Sequence, residues 1–97
     1  MSPAPSSEER YRLETTPTVR RQLAEGLPEA VAFAAYEFIA GPLLDNPHRV
    51  GKALSAPLDG RYAARRGTYR VIYRIDVGRR VVTVLLVTHR RDAYRTT

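Results

Sequence analysis

Residues 60–95 read Gly-Arg-Tyr-Ala-Ala-Arg-Arg-Gly-Thr-Tyr-Arg-Val-Ile-Tyr-Arg-Ile-Asp (60–76), Val-Gly-Arg-Arg (77–80), Val-Val-Thr-Val-Leu-Leu-Val-Thr (81–88) and His-Arg-Arg-Asp-Ala-Tyr-Arg (89–95). Tyr69 to Asp76 alternates with period two: Tyr69, Val71, Tyr73 and Ile75 point one way, Arg70, Ile72, Arg74 and Asp76 the other. That is a strand with one apolar and one charged face. Val81 to Thr88 is apolar at nearly every position and rich in branched side chains, which predicts a strand covered on both faces and central in its sheet. The Asp76-Val77-Gly78-Arg79 segment between them reads as a turn, with Gly78 free to take a positive φ. An earlier strand over Arg61 to Arg65, turning at Arg66-Gly67, completes a three-stranded antiparallel meander.

Working outward toward the N-terminus, Arg10 to Thr15 alternates weakly, with Tyr11, Leu13 and Thr15 on one side, and is a candidate first strand. Thr16-Pro17 reads as an N-cap followed by proline at the first helical position, opening a helix to about Glu25 that stops at Gly26. Val19 and Leu23 give it a narrow buried stripe. A second helix restarts at Leu27-Pro28-Glu29 and runs to about Ala40, ended by Gly41-Pro42. Leu27, Val31, Ala34, Ala35 and Phe38 share the face that should press on the sheet. Phe33, Tyr36 and Ile39 make its other face apolar too, so either the first helix or a partner protein covers it, the helical hairpin being the preferred reading. Residues 42–57 read as a crossing loop with no element beyond a turn.

The predicted fold class is therefore α+β: an N-terminal strand and a helical hairpin packed on one face of a four-stranded antiparallel sheet, the other face open. Residues 1–9 read as a disordered leader and residues 10–97 as a single small domain, since 97 residues with 43% apolar content make one thin core. Without cysteine there is no disulfide, thiolate nucleophile or Cys-ligated zinc. The N-terminal segment lacks the basic start and apolar run of a signal peptide, and no stretch approaches a membrane span, so a cytoplasmic protein without a membrane partner is expected.

Charge is unevenly placed. Residues 1–60 hold six Lys/Arg against eight Asp/Glu, whereas residues 61–97 hold ten arginines against two aspartates. Arginine's planar fork grips phosphate through two parallel hydrogen bonds, so the natural partner of the sheet half is a polyanion. The plainer alternative is a solvated surface rich in arginine through codon usage. Arg70 and Arg74 must face water or an anion, because burying them unpaired would cost more than a small core returns. No internal repeat, nucleotide-binding loop, zinc-spaced histidine set or serine-hydrolase elbow is present.

Several blocks together resemble one family: Ala53-Leu54, Leu58 to Tyr62, Arg65 to Ile75, and Val87 to Arg95, with Tyr69-Arg70-Val71-Ile72-Tyr73 and His89-Arg90-Arg91-Asp92-Ala93-Tyr94 the most telling. They look like the RelE branch of the RelE/ParE toxin superfamily, and Gly41 to Arg49 resembles its actinobacterial members. The resemblance implies a RelE-like fold and the toxin of a type II toxin–antitoxin system: a ribosome-dependent endoribonuclease, or mRNA interferase, held inactive by a cognate acidic RelB-like antitoxin. Ribosome and mRNA would be its other partners, with no metal and no cofactor.

Cutting RNA without metal uses the 2′-hydroxyl beside the scissile phosphate as nucleophile. That needs a proton acceptor, a donor for the leaving 5′-oxygen, and cations on the developing phosphorane. The resemblance makes Arg65, Arg70, His89, Arg90 and Tyr94 the catalytic candidates: the arginines for phosphate charge, His89 as general acid or base because imidazole changes charge near neutrality, Tyr94 for base stacking or proton transfer. Arg61, Arg74, Arg79, Arg80 and Arg91 are the RNA-binding candidates. Some members carry lysines where this chain has Ala63 and Ala64, and Asp59 reads as a turn former rather than a base. The alternative within the superfamily is a ParE-like toxin that inhibits DNA gyrase by binding and needs no acid–base pair.

Overall fold

The computed structural model describes residues 10–57 and 60–89. In chain order the elements are β1 (Arg12–Thr15), α1 (Pro17–Arg21), α2 (Glu29–Phe38), β2 (Lys52–Ala53), β3 (Arg61–Arg66), β4 (Tyr69–Asp76) and β5 (Val81–His89). Both helices run on into a π-helical turn, over Gln22–Gly26 after α1 and Ile39–Leu43 after α2.

Local chemistry sets the start of α1 as expected. Thr16 is extended, its Oγ1 accepts from the Val19 amide at 3.2 Å, and Pro17 occupies the first turn, where its missing N–H costs nothing. The end of α2 differs from the sequence expectation. Winding continues through Gly41-Pro42 to Leu43 in a wider turn, which buries Ile39 and Leu43 where a stop was expected. A proline donates no amide hydrogen, and the wider winding carries the chain past it.

The sheet has five strands in the order β1-β5-β4-β3-β2, not four antiparallel ones. Three pairings are antiparallel, but β1 runs parallel to β5, with Leu13 opposite Val82 and Thr15 opposite Val84. The two helices carry the chain from β1 at one edge to β2 at the other, and the antiparallel run β2-β3-β4-β5 then brings β5 back alongside β1 in the same direction. Residues 42–57 also contribute an element that the expectation of a plain loop missed: Lys52 and Ala53 pair with Ala63 and Tyr62. β5 is flanked on both sides yet not covered on both, since Leu86 is 37% exposed; the central strand is β4.

Turn chemistry departs from expectation at two places. The β3–β4 turn sits at Gly67-Thr68, with Gly67 at φ 56°. In the β4–β5 turn the positive φ falls on Arg80 (56°) and not on Gly78, while Asp76 Oδ1 accepts from the Arg79 amide at 3.0 Å. Asp76 is thereby spent on the turn rather than on Arg70 or Arg74.

The core lies between the helices and one sheet face. Val71, Tyr73, Val82, Val84 and Val87 from the sheet meet Val19, Ala35, Phe38, Ile39 and Leu43. Two tyrosines of β4 bridge the layers: Tyr69 Oη donates to Ala34 O at 3.2 Å and Tyr73 Oη to Pro47 O at 2.6 Å. Tyr73 also stacks on Tyr62, with centroids 5.6 Å apart. Gly51 passes so close that an added Cβ would collide with the Tyr73 hydroxyl and come within 2.9 Å of Ala63 O.

Burial pushes the Tyr73 phenol up to about 12, helped by neighbouring Tyr62 and opposed by Arg66. The neutral phenol is the form the fold favours. Its contribution to stability is complete below the ordinary tyrosine value of 10.0 and is lost as pH rises through about 12. Tyr73→Phe should cost about 1–3 kcal/mol in urea denaturation at neutral pH, because Pro47 O loses its donor. The same variant should lose stability less steeply than the parent above pH 10.0; equal slopes would contradict the assignment.

Candidate functional site

Helices arriving in one block cover one face of the sheet, and the pleat sends the remaining side chains to the other. Residues paired across strands share a face, so the register identifies what stands together. One row of the uncovered face holds Arg65, Arg70 and Thr88; the row two steps along holds Arg61, Arg74, Thr83 and Glu14. The row between them is Lys52, Ala63, Ile72 and Leu86.

In two of these rows arginine stands directly opposite arginine: Arg65 with Arg70, and Arg61 with Arg74. All four are exposed. Like charges facing each other across a ladder destabilise it by about 0.2–1 kcal/mol. Among the described residues the ion pairs are Arg10 with Asp45 at 2.7 Å and Arg79 with Glu14 at 4.0 Å, and neither engages these four. The arrangement repels itself, and the fork geometry of guanidinium suits a phosphate.

Adjacent arginines are sorted by the same pleat. Arg66, next to Arg65, falls on the helix side, where its guanidinium lies 4.5 Å from the centroid of the Phe38 ring. Arg79 and Arg80 lie at the opposite end of the sheet from Arg65 and Arg70. Arg79 reaches toward Glu14, and the Arg80 guanidinium is 5.6 Å from the Tyr11 ring. The RNA-binding candidates are therefore not one patch: Arg61 and Arg74 join the uncovered face, and the two turn arginines stand apart.

His89 is the last described residue of β5, and its register partner is Tyr69, whose own partner is Arg66. That row belongs to the helix side. The cause is a bulge: Ile72 pairs with Leu86 and Tyr73 with Val84, so Leu85 is an extra residue that reverses the parity of everything after it. Unbulged counting from Val81 would have put His89 on the arginine face. Thr88 takes that face instead, opposite Arg70. Arg90, Arg91, Tyr94 and Asp59 lie outside the described residues.

Thr16, read from the sequence only as an N-cap, and Gln22, which sequence reasoning passed over, fix the end of β5. β1 pairs only with Val81 to Val84, leaving the outer edge beyond it open. Thr16 Oγ1 donates to Leu85 O at 3.1 Å, and the Gln22 amide acts as a substitute strand: Nε2 donates to Val87 O at 2.6 Å and Oε1 accepts from the Val87 amide at 2.9 Å. These bonds hold the bulge and hence the face on which Thr88 and His89 emerge. Nothing in a helical glutamine among charged neighbours signals such a role.

Away from the sheet face, Phe33 and Tyr36 on α2 are 66% and 56% exposed. The helical hairpin forms but does not cover them, contrary to the preferred reading of that face; Ile39, grouped with them in sequence, is buried. Among the described residues no group of three or more His, Cys, Asp or Glu is placed to hold a metal ion, and no helix is long and apolar enough to cross a membrane.

Comparisons with known proteins find relatives that span most of the chain. A family model described as the ParE toxin of the parDE type II toxin–antitoxin system matches residues 10–94. The toxin RelE of Mycobacterium tuberculosis is 46% identical over 90 residues, covering 93% of this chain and 92% of that protein. The toxin RelG of the same organism is 47% identical over 85 residues, covering 88% and 97%. The crystal structure of the M. tuberculosis RelBE2 toxin–antitoxin complex contains a chain that superposes with a TM-score of 0.79 at 46% identity, covering 84% of this chain and 99% of that one. The family model carries the ParE name and both relatives carry RelE-type names; near-full-length identity to individual proteins speaks more closely to the branch.

Replacing one member of an opposed pair should relieve the repulsion. Arg70→Thr is expected to raise stability toward denaturant by up to about 1 kcal/mol at low ionic strength, with the gain shrinking as salt is added. A loss of stability at low salt would show that Arg70 is held by a partner within the fold.

Proposed function

The chain belongs to the RelE branch of the RelE/ParE superfamily of type II toxins, and on that premise we propose that it is a ribosome-dependent endoribonuclease that cuts mRNA. The observation that carries the reading is the Arg65–Arg70 pair, opposed across β3 and β4 on an uncovered face beside Thr88. A site that only solvated its charge would gain nothing from setting two guanidinium groups directly against each other.

In the proposed reaction the 2′-oxygen attacks the adjacent phosphorus and gives up its proton, the bond to the 5′-oxygen breaks, and that oxygen is protonated as it leaves. The upstream fragment ends in a 2′,3′-cyclic phosphate. Arg65 and Arg70 bind the non-bridging oxygens and offset the charge that grows on the phosphorane. Arg90 is assigned to offset the same negative charge, and His89 and Tyr94 are the groups assigned to proton transfer. His89 closes β5 at the Arg65–Arg70 end of the sheet but in the row of Tyr69, so on this reading it serves the site from the strand end and not from the arginine face. With alanine at 63 and 64, no lysine on β3 shares the work, which places more of the electrostatic stabilisation on the arginines.

Its partners on this reading are the ribosome and mRNA, and a RelB-like antitoxin as in the M. tuberculosis complex it resembles. The antitoxin would carry carboxylates for the arginine face and apolar residues for Phe33 and Tyr36, folding as it wraps. The toxin is expected to act in the cytoplasm, where its ribosomal target resides. A ParE-like gyrase inhibitor is the second reading, favoured only by the name of the matching family model.

Primer extension on translated mRNA after induction, with plasmid supercoiling followed in the same cells, separates the two. Cuts within codons and unchanged supercoiling are expected. Arg70→Ala and Arg90→Ala should each slow cleavage by about tenfold or more, the loss of one charge-assisted contact. His89→Ala should slow cleavage while leaving ribosome binding nearly intact. Full toxicity in all three variants, or relaxed DNA with intact mRNA, would overturn the nuclease reading.

A further inference from the structure

We propose that Arg61 and Arg74 form a second phosphate subsite, which holds a backbone linkage about two nucleotide steps from the bond that is cut. The proposal rests on the ribonuclease reading and adds a register to it. Arg61 is the register partner of Arg74 just as Arg65 is of Arg70. The two pairs are four positions apart along each strand, which is about 13 Å of extended chain. An extended single strand covers such a distance in roughly two phosphate-to-phosphate steps.

Repetition of the self-repelling motif is the main argument. One opposed arginine pair can be an accident of an arginine-rich strand. Here two pairs occur on the same face of the same ladder, separated by an uncharged pair, Ala63 opposite Ile72. Each pair is a net repulsion in the free protein and each is relieved by a dianionic or monoanionic oxygen cluster of phosphate size.

The step between the pairs is also suited to the strand. Ala63 and Ile72 are half-buried and Leu86 is 37% exposed, so on β3, β4 and β5 the rung is apolar where the sugar and base between the two phosphates would rest. Lys52 closes that rung at the outer edge, on β2. The carboxylate in the Arg74 row, Glu14, stands beyond Thr83 and faces Arg79 at 4.0 Å, which leaves Arg74 to a ligand.

Ribosomes programmed with a synthetic message, in which one linkage at a time is an uncharged methylphosphonate, test the register with the intact protein. On the all-phosphate message, Arg61→Gln and Arg74→Gln should each cleave about tenfold more slowly than the parent. Neutralising the linkage about two steps from the cut should slow the parent by a similar factor and leave either variant no slower. Neutral linkages elsewhere should slow parent and variants alike. If every neutral linkage slows parent and variants by the same factor, the two arginines supply diffuse charge and the subsite is refuted while the nuclease reading stands. Failure of the parent to cut the all-phosphate message would instead remove the nuclease reading itself. Both substitutions relieve charge repulsion, so thermal melts at or above the parent's should accompany them.

Discussion

β4 must present two incompatible sets of side chains in a single strand, and a pleat allows that only if one face is dry and the other wet. Tyr69, Val71 and Tyr73 are buried under the helices, and Arg70 and Arg74 stand exposed on the reverse. Everything else in the architecture serves this division. The helices arrive together and cover one face, β3 supplies a second set of arginines in register, and β5 closes the other side with valines toward the core. A helix on the arginine face would trap four guanidinium groups away from water, a cost a core of this size could not offset.

The two tyrosine hydroxyls show how tightly the faces are coupled. Tyr69 is bonded to Ala34 O in α2 and Tyr73 to Pro47 O in the crossing segment, so the register of β4 is pinned from the core side. Thr16 and Gln22 do the same for β5 at its bulge. The arginine face is thus aimed by bonds made on the opposite side of the sheet. A charged surface built on paired strands and held in this way needs little rearrangement to present its charges to a ligand.

Features with a short-range cause were legible from the chain. Thr16-Pro17 opens a helix through chemistry confined to a few residues, and the alternation of Tyr69 to Asp76 requires only counting. Features with a long-range cause were not. Nothing within Arg12 to Thr15 says that its neighbour will be β5 or that the pair will be parallel, and two residues of β2 carry no period. The bulge at Leu85 is hidden inside an unbroken apolar run, and it alone decides which face His89 takes. Family resemblance brought Arg65, Arg70 and His89 into one list; the register unites the first two on one face and sets the third in the row of Tyr69.

The central claim is that the opposed arginines of the uncovered face meet an RNA backbone. Side-chain Nε–H signals of arginine, followed by NMR while the protein is titrated at low salt with a short 2′-O-methyl RNA that cannot be cleaved, report on it directly. The account requires the signals of Arg65, Arg70, Arg61 and Arg74 to shift together and saturate, while those of Arg20 and Arg66 on the helix side stay put. Shifts confined to the helix side, or spread evenly over all arginines, would contradict it.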